Sequence, residues 1–411
     1  MSNLTERFLN YVKIDTQSNP NSQTSPSSSN QKDLCLLLSR ELKEMGISTT
    51  YSEQGYVYAF IPSNVDEAIV SIGFCAHVDT SPDSLGRNVK PRVIYNYDGK
   101  KIKLSDKWSM SPEEFPVLER VKGQDIIVTD GNTLLGADDK AGIAEIMEYL
   151  DYIVNHPNFK HGDVYVCFTP DEEIGRGTDN IDLKLFKPDF AYTLDGSEVG
   201  GIEYETFNAA SAKVKISGKG IHPGSAKGKM VNASLVGLEF HSLLPVNLNP
   251  AFTDGYDGFN HLTNIVGEVE SSELSYIIRN HDKALFQRQK DDFVDAQKYI
   301  NKKYGYEAVS VEITDQYYNM AEKLKNHFEI IELAREACKN LNIDTYTLPV
   351  RGGTDGSRLT FMGILTPNLG TGGYNFHGRY EFASITQMNQ AVKLLLEITS
   401  LSLSFVSSLL R

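Results

Sequence analysis

The chain has 411 residues, of which 40% are hydrophobic and 23% charged, and its formal net charge at pH 7 is -14. That length predicts two or three domains, and the composition is typical of a globular protein rather than a disordered or fibrous one. The negative charge argues against a nucleic-acid backbone or an anionic membrane as the main partner, because both need a basic face.

The first residues lack the basic and then apolar character of a secretory leader, and no apolar run reaches the length of a membrane span. We therefore expect a cytoplasmic protein with no membrane partner. The four cysteines, Cys35, Cys75, Cys167 and Cys338, show no CxxC spacing. Because Cys75 and Cys167 lie in apolar runs, we interpret them as small buried hydrophobic residues rather than metal ligands.

Two helices are predicted near the start of the chain. Apolar residues recur at helical spacing between Leu4 and Val12, and again between Leu34 and Met45. The segment between these helices, 18–30, is polar and contains prolines. Such a composition predicts a mobile surface loop.

Four short apolar runs have the character of strands that are buried on both faces. They are Ile69 to Ala76, Val164 to Phe168, Phe190 to Leu194, and Ile364 to Leu369, the last with a proline inside it. Helical periodicity lies between the first two, from Ile143 to Ile153. Alternating strands and helices predict an α/β domain with a mainly parallel sheet, in which ligands bind at the carboxyl ends of the strands.

The character of the sequence changes at about Phe207. Val214 and Ile216 alternate with lysines, as in a strand that has one exposed face. Near residue 319 the pattern of helix and buried strand returns. We therefore predict an inserted second domain over 208–319, with 1–207 and 320–411 together forming the main domain.

Acids and histidines follow the buried runs. The first run leads to His77 and Asp79, the second to Glu172 and Glu173, the third to Asp195 and the fourth to His377, while Asp138 and Asp139 stand just before the predicted helix. Because parallel strands end at the same edge of a sheet, we expect these side chains to meet there. Neighbouring acids raise one another's pKa values unless cations balance them. Two histidines with three carboxylates suit a pair of zinc ions.

Each of these residues taken alone also has an ordinary structural interpretation. Asp138 and Asp139 are favourable charges for the first turn of a helix, Glu172 and Glu173 suit a solvated loop, and His77 suits a strand end. The coincidence of five segments is what favours a metal centre. A phosphate-binding loop at "GGTDG" or "GTGG" is a weak alternative, because neither continues into GK[ST] at the head of a helix.

Several motifs closely resemble, in chain order, those of the two-zinc exopeptidase and aminoacylase family. They are "HVDT", "LLGADDKAG", "PDEEIGRG", "TLDG", "GIHPGSAKGKM", "PVRGGTDGSRL" and "HGRYE", and they span nearly the whole chain. "PDEEIGRG", "GIHPGSAKGKM" and "PVRGGTDGSR" narrow the resemblance to the peptidase T branch, the tripeptide aminopeptidases. The resemblance implies a catalytic domain with two zinc ions and an inserted α+β lid domain of the dimerisation type.

The resemblance also implies the metal ligands. They are His77, Asp138 and Asp195 for one zinc ion, and Asp138, Glu173 and His377 for the other, so that Asp138 bridges the two. Other divalent metals are alternatives to zinc. The choice of Asp138 over Asp139, and of Glu173 over Glu172, rests on the resemblance, because adjacency alone cannot say which carboxylate faces a metal.

Two acids take further roles from the resemblance. Asp79 would orient His77 by accepting its remaining N–H. Glu172 would be the general base in a hydrolysis that proceeds through a zinc-bound hydroxide.

Three residues of the predicted inserted domain and the segment after it would contact the substrate. His222 would face the oxyanion, although a turn histidine next to Pro223 is the alternative interpretation. Arg279 would bind the terminal carboxylate of the substrate, for which a planar bidentate donor is suited, or is a surface arginine. Arg351 would shape the wall of the pocket.

The leading hypothesis is a metallo-aminopeptidase that hydrolyses the N-terminal residue from short peptides, namely tripeptides. Because relatives often pair through the lid, the resemblance also implies a homodimer. An N-acyl amino acid deacylase or a carboxypeptidase of the same family is the nearest alternative, and only the resemblance separates them. A binding or scaffold protein without catalysis would be expected to lack Glu172 or a ligand, and this sequence has them all.

Overall fold

The computed structural model describes residues 3–67 and 69–404. The chain divides into two compact units. The first comprises Met1–Tyr204, Lys323–Thr347 and Thr354–Arg411, and the second comprises Glu205–Glu322 and Leu348–Gly353. The segment predicted as an inserted domain, 208–319, lies inside the second unit.

In chain order the strands are β1 (Ser48–Tyr51), β2 (Val57–Ile61), β3 (Ile72–His77), β4 (Arg92–Ile94), β5 (Ile102–Lys103), β6 (Ser109–Met110), β7 (Ile126–Val128), β8 (Val164–Thr169), β9 (Phe190–Gly196), β10 (Ile202–Glu203), β11 (Asn208–Ser217), β12 (Phe259–Gly267), β13 (Ser271–Asn280), β14 (Val309–Tyr317), β15 (Asn368–Gly370), β16 (Gly373–Tyr374) and β17 (Phe382–Ser384). The α-helices are α1 (Asn3–Tyr11), α2 (Gln31–Glu44), α3 (Ala137–Asn155), α4 (Ala233–Leu243), α5 (Lys283–Tyr304), α6 (Ala321–Leu324), α7 (Glu329–Asn340), α8 (Asp355–Phe361) and α9 (Ile385–Ser402).

The first unit is built on a seven-stranded sheet with the order β1-β2-β8-β3-β9-β15-β10. The inner strands β8, β3, β9 and β15 run parallel to one another, and β1, β2 and β10 pair antiparallel at the edges. Every residue of β3 and β8 is buried, which explains their continuous apolar sequences. The predicted mainly parallel α/β domain is confirmed.

The fourth predicted strand is shorter than its apolar run. The ladder covers Asn368–Gly370, with a register shift between Leu369 and Gly370, while Leu365 forms an isolated bridge with Phe190. Pro367 lies between them; its carbonyl oxygen accepts from the N–H of Thr193 in β9, but it has no N–H to donate, so the ladder is incomplete at this residue. The sequence pattern located this strand, but its start is set by one missing donor.

Helix α3 covers the centre of the sheet. It packs on β3 and β9 and contacts α1 and α9, and its apolar side chains share one core with these elements. The predicted helical segment from Ile143 to Ile153 lies within α3.

The four cysteines are free thiols in buried positions, as predicted for Cys75 and Cys167. Across residues 3–67 and 69–404, no helix combines the length and the apolar character that crossing a membrane requires.

A smaller sheet in the first unit has the order β16-β17-β7-β4. Phe382 of β17 pairs with Val128 of β7, and both are buried in a separate apolar cluster with Met110 and Tyr374. The chain leaves β7 toward the start of α3, and it enters β17 from the loop that contains His377. This pairing therefore brings two of the predicted ligand segments together.

The second unit contains an antiparallel sheet with the order β12-β13-β11-β14. Helices α4 and α5 pack on it and share a core with its apolar residues. In β11, Val214 and Ile216 are buried while Lys213 and Lys215 are exposed. The alternation predicted a strand with one exposed face, and the structure confirms it.

Candidate metal centre

The predicted ligands of the first unit meet at one edge of its large sheet. His77 is the last residue of β3, Asp195 lies near the end of β9, and a short 3₁₀ helix over Glu172–Ile174 follows β8. Because β8, β3 and β9 are adjacent and parallel, these positions lie side by side. Asp138 at the start of α3 and His377 between β16 and β17 complete the cluster.

Asp138 lies between the two histidines. Its Oδ1 is 2.9 Å from Nε2 of His77, and its Oδ2 is 3.1 Å from Nε2 of His377. One carboxylate therefore spans both imidazoles with a different oxygen on each. This is the arrangement that a ligand bridging two ions requires.

The adjacent acid, Asp139, has a different environment. Its Oδ2 accepts a hydrogen bond of 3.1 Å from the backbone N–H of His77, and the residue is 1% exposed. Asp138 and Asp139 are joined by a cis peptide bond, and both have non-helical backbone angles within α3. Of this pair, only Asp138 has carboxylate contacts to both histidines.

Two further carboxylates surround the histidines. Oε2 of Glu173 is 3.0 Å from Nε2 of His377, and Oδ1 of Asp195 is 3.5 Å from Nε2 of His77. Potential ligand atoms lie within 4.8 Å of one another in two sets, His77 with Asp138 and Glu173, and His77 with Glu172 and Asp195. Glu172 as well as Glu173 thus reaches the cluster.

Asp79 supports this cluster through the backbone of the glutamates. Its carboxylate accepts hydrogen bonds from the N–H of Glu172 at 2.9 Å and from the N–H of Glu173 at 3.2 Å. Nδ1 of His77 lies 3.1 Å from the backbone oxygen of Asp79 and 3.4 Å from its Oδ1. The nearest acceptor for the remaining N–H of His77 is therefore the main chain of Asp79.

Asp171 ties the same loop to the N-terminal part of the chain. Its carboxylate accepts hydrogen bonds from the N–H of Ser27 at 2.7 Å and from Nε2 of Gln31 at 2.8 Å. Ser27 is buried, so the prediction of a surface loop over 18–30 is wrong at this residue. The reason is that its N–H satisfies an acid that is itself buried.

The charged groups of the cluster shift one another's pKa values. Burial raises the pKa of Glu173 to about 8 and that of Asp195 to about 7. Burial also acts to raise the pKa of Asp138, but hydrogen bonds from His377 and His77 outweigh it and leave that pKa lowered. Hydrogen bonds to Asp138 and Glu173 raise the pKa of His377 to about 11. Without cations, the crowded acids and imidazoles therefore hold protons more strongly than usual.

The donor set fits divalent metal ions. Oε1 of Glu173 is buried and, within the described part of the chain, has no hydrogen-bond partner, so one ligand oxygen has no protein donor. Imidazole and carboxylate together are the ligands that suit zinc. The cluster therefore has the composition and the geometry of a metal-binding site.

Sequence analysis assigned no role to three acids that lie near the cluster. Oδ2 of Asp83 is 3.3 Å from Nδ1 of His377. Asp355 accepts a hydrogen bond of 2.6 Å from the hydroxyl of Thr169. Glu381 accepts hydrogen bonds from backbone N–H groups near the start of α3. The motifs "GGTDG" and "HGRYE" contain Asp355 and Glu381, and this is the only signal that pointed to them. Their partners lie 186 and 246 residues away along the chain, beyond what a local pattern can indicate.

The predicted substrate-contacting residues belong to the second unit. His222 is exposed, and its Nδ1 accepts a backbone N–H. Arg279 donates to the carbonyl oxygen of Ala210 at 3.1 Å, and Arg351 donates to that of Gly255 at 2.8 Å. Both guanidinium groups thus form hydrogen bonds to the main chain of that unit. Their roles toward a substrate stay predictions.

Two kinds of sequence comparison relate this chain to known proteins. A family model for "Peptidase family M20/M25/M40" matches residues 128–400. Peptidase T of Clostridium perfringens (strain 13 / Type A) is 53% identical over 399 residues, which cover 97% of this chain and 98% of that protein.

Solved structures share the fold over the same length. A tripeptidase from Staphylococcus aureus has a TM-score of 0.78 at 23% sequence identity, with 98% of both chains covered. A dinuclear metal-binding peptidase from Bacillus subtilis has a TM-score of 0.66 at 14% identity, again with 98% of both chains covered. At these identities the structural likeness concerns the fold alone, whereas the family model covers more than half of the sequence. The chain belongs to peptidase family M20/M25/M40.

Proposed function

We propose that the protein is a metallo-aminopeptidase that hydrolyses the N-terminal residue from tripeptides. The observation that carries the proposal is the Asp138 carboxylate, which contacts both His77 and His377 beside two glutamates at the end of β8. Membership of a peptidase family and the 53% identity with a Peptidase T support the reaction and the substrate class.

The metal in this proposal is zinc, with two ions in each subunit. The proposed ligands are His77, Asp138 and Asp195 for one ion, and Asp138, Glu173 and His377 for the other. When bound, such ions supply Lewis-acid polarisation of the scissile carbonyl and lower the pKa of a water molecule. The short contacts between these imidazoles and carboxylates support the assignment.

Glu172 is the proposed general base. The Asp79 carboxylate holds its backbone N–H, and its side chain lies in one set of potential ligands with His77 and Asp195. A carboxylate at this place can take a proton from the attacking water. It then gives the proton to the amine of the leaving fragment as the C–N bond of the peptide breaks.

The second unit is the proposed lid domain. In this proposal His222 faces the oxyanion, Arg279 binds the terminal carboxylate and Arg351 shapes the pocket wall, and the motif resemblance supports these roles. A homodimer and a cytoplasmic location also stay predictions. Sedimentation equilibrium of the purified protein measures the first, and cell fractionation the second.

Product identification tests the proposed function. The zinc-loaded protein is incubated with free trialanine and, separately, with N-acetyl-trialanine, and the products are identified by mass spectrometry. Alanine plus dialanine from the free peptide alone supports an aminopeptidase that needs a free amine.

Other products would identify an alternative reaction. Acetate from the blocked peptide would make the protein a deacylase, and alanine from the carboxyl end of both peptides would make it a carboxypeptidase. A protein that binds two zinc ions and cuts neither peptide would contradict the proposal and favour a binding role.

A further inference from the structure

Glu381 is a buried acid that binds the backbone of a ligand-bearing segment. The residue is 1% exposed. Its Oε2 accepts hydrogen bonds from the N–H of Leu135 at 2.6 Å and from that of Gly136 at 2.8 Å, and its Oε1 accepts from the N–H of Asp138 at 3.1 Å. A single carboxylate therefore satisfies three backbone donors around the proposed bridging ligand.

One of these donors, the N–H of Asp138, lies in the first turn of helix α3, and the N-cap residue of that helix makes no side-chain cap. Gly136 is the N-cap residue, in the left-handed region with a φ of 84°, and as a glycine it has no side chain with which to cap the helix. The first N–H groups of a helix have no intrahelical acceptor, and a negative charge at this end is favourable. Glu381 supplies the acceptors from a segment more than 240 residues away along the chain.

Glu381 also belongs to the segment that carries His377. The two residues are separated by a turn in which the N–H of Glu381 donates to the carbonyl oxygen of Gly378 at 3.2 Å. The following residue, Phe382, pairs with Val128 of β7. Glu381 is thus fixed on one side by β17 and holds the backbone of Asp138 on the other.

We propose that Glu381 is a positioning residue that sets the distance between Asp138 and His377, so that the ligand cluster is built before metal binds. This inference rests on the proposed function, because it takes Asp138 and His377 as metal ligands. The physical reason is that a ligand whose backbone is already held does not have to be ordered when the ion arrives. The loss of such supporting contacts typically weakens metal binding by about 10- to 100-fold.

The Glu381→Gln substitution isolates this role. Its carbonyl oxygen can still accept from Leu135 and Gly136, but its amide NH₂ then faces the N–H of Asp138, so that two donors oppose each other. Glu145→Gln is the matched control. Glu145 is also buried and lies in the same unit, within α3, and the substitution makes the same chemical change there.

The measurement is the Zn²⁺ affinity of the metal-free proteins in the absence of peptide, by competition with a chromogenic chelator. Glu381→Gln is expected to bind at least one Zn²⁺ about 10- to 100-fold more weakly than the wild type, and Glu145→Gln to bind as the wild type does. Thermal unfolding of the same metal-free samples reports on folding. A merely structural Glu381 would lower the unfolding temperature and leave the Zn²⁺ affinity unchanged, and that result would overturn the inference.

A second variant decides the matter if Glu381→Gln does not fold. Glu381→Asp keeps both acceptor oxygens on a side chain one methylene shorter, and weakened Zn²⁺ binding by the folded variant would support the inference. Unchanged binding would overturn it. The affinity measurement contains no peptide, so its outcome is independent of the trialanine test of the proposed function. A wild type that binds Zn²⁺ but leaves trialanine uncut would contradict the proposed function and not this role of Glu381.

Discussion

Adjacent acids at the metal centre have different partners, and this difference sets their chemistry. Asp138 contacts the side chains of His77 and His377, whereas Asp139 accepts a backbone N–H of β3. Glu173 contacts His377, whereas Glu172 has no such contact within the residues that the structure describes. The sequence predicted that these pairs would reach the centre, but not which member would do so, because side-chain direction depends on the local backbone.

Substitution of Glu172 tests its role as a base. Glu172→Ala is expected to retain zinc and to lower kcat by about 100- to 10,000-fold, since proton transfer from water loses its acceptor. Glu173→Ala is the matched neighbour and is expected to lose zinc, because it removes the carboxylate that contacts His377. Metal content by atomic emission and kcat on trialanine measure both effects. Zinc loss in Glu172→Ala would make Glu172 a ligand instead.

The buried acid Glu145 is expected to make the stability of the protein depend on pH. It is fully buried in α3, both carboxylate oxygens are without a hydrogen-bond partner in the described structure, and burial raises its pKa well above the usual 4.5. The acid is therefore neutral in the folded protein but ionises in the unfolded chain above pH 4.5. Unfolding then releases a proton, so this residue lowers stability as the pH rises.

Glu145→Gln removes that ionisation while keeping the shape of the side chain. We expect the stability of the wild type relative to this variant to fall by as much as about 1.4 kcal/mol for each pH unit above about 4.5, until the pKa of the folded state is reached. Urea unfolding of both proteins at a series of pH values measures the difference. Parallel stability curves would contradict the buried neutral acid.

At the scale of elements, the sequence indicated the strands of the large sheet but not their order. Continuous apolar runs predict burial on both faces, and β3, β8 and β9 are buried in this way. The order β8-β3-β9 depends on pairing between distant segments, which periodicity does not report. For the same reason the acids that support the ligands, Asp83 and Glu381, could not be assigned from local patterns.

The close approach of α3 to β9 gives a prediction at this scale. A Cβ atom at Gly142 would lie 2.1 Å from the carbonyl oxygen of Leu194, next to Asp195. Alanine normally stabilises a helix by about 0.5–1 kcal/mol over glycine. Here the clash is with backbone, and overpacking of this kind costs about 1–3 kcal/mol, so we expect Gly142→Ala to be destabilising.

Urea unfolding measures this effect, and Gly352→Ala is the control. Among the described residues, a Cβ atom at Gly352 would meet no atom within 4 Å apart from its chain neighbours, so the control is expected to leave stability unchanged. A stabilised Gly142→Ala would mean that helix propensity outweighs the contact with β9.

At the scale of the whole molecule, the proposed ligands all belong to the first unit. His77, Asp138, Glu173, Asp195 and His377 lie within Met1–Tyr204 and Thr354–Arg411, and the second unit has its own apolar core. A ligand that binds only the folded state stabilises the structure that carries its site. Zinc is therefore expected to act directly on the stability of the first unit.

Hydrogen exchange with detection by mass spectrometry resolves the two units. Zinc at about 100 times its Kd is expected to stabilise the first unit by about 2.7 kcal/mol, seen as slower exchange in β3 and α3. Exchange in β11 and β13 of the second unit is expected to stay the same. Glu173→Ala serves as the control, because it removes a proposed ligand and should abolish the protection. Equal protection of β11 and α3 in the wild type would contradict a metal centre confined to the first unit.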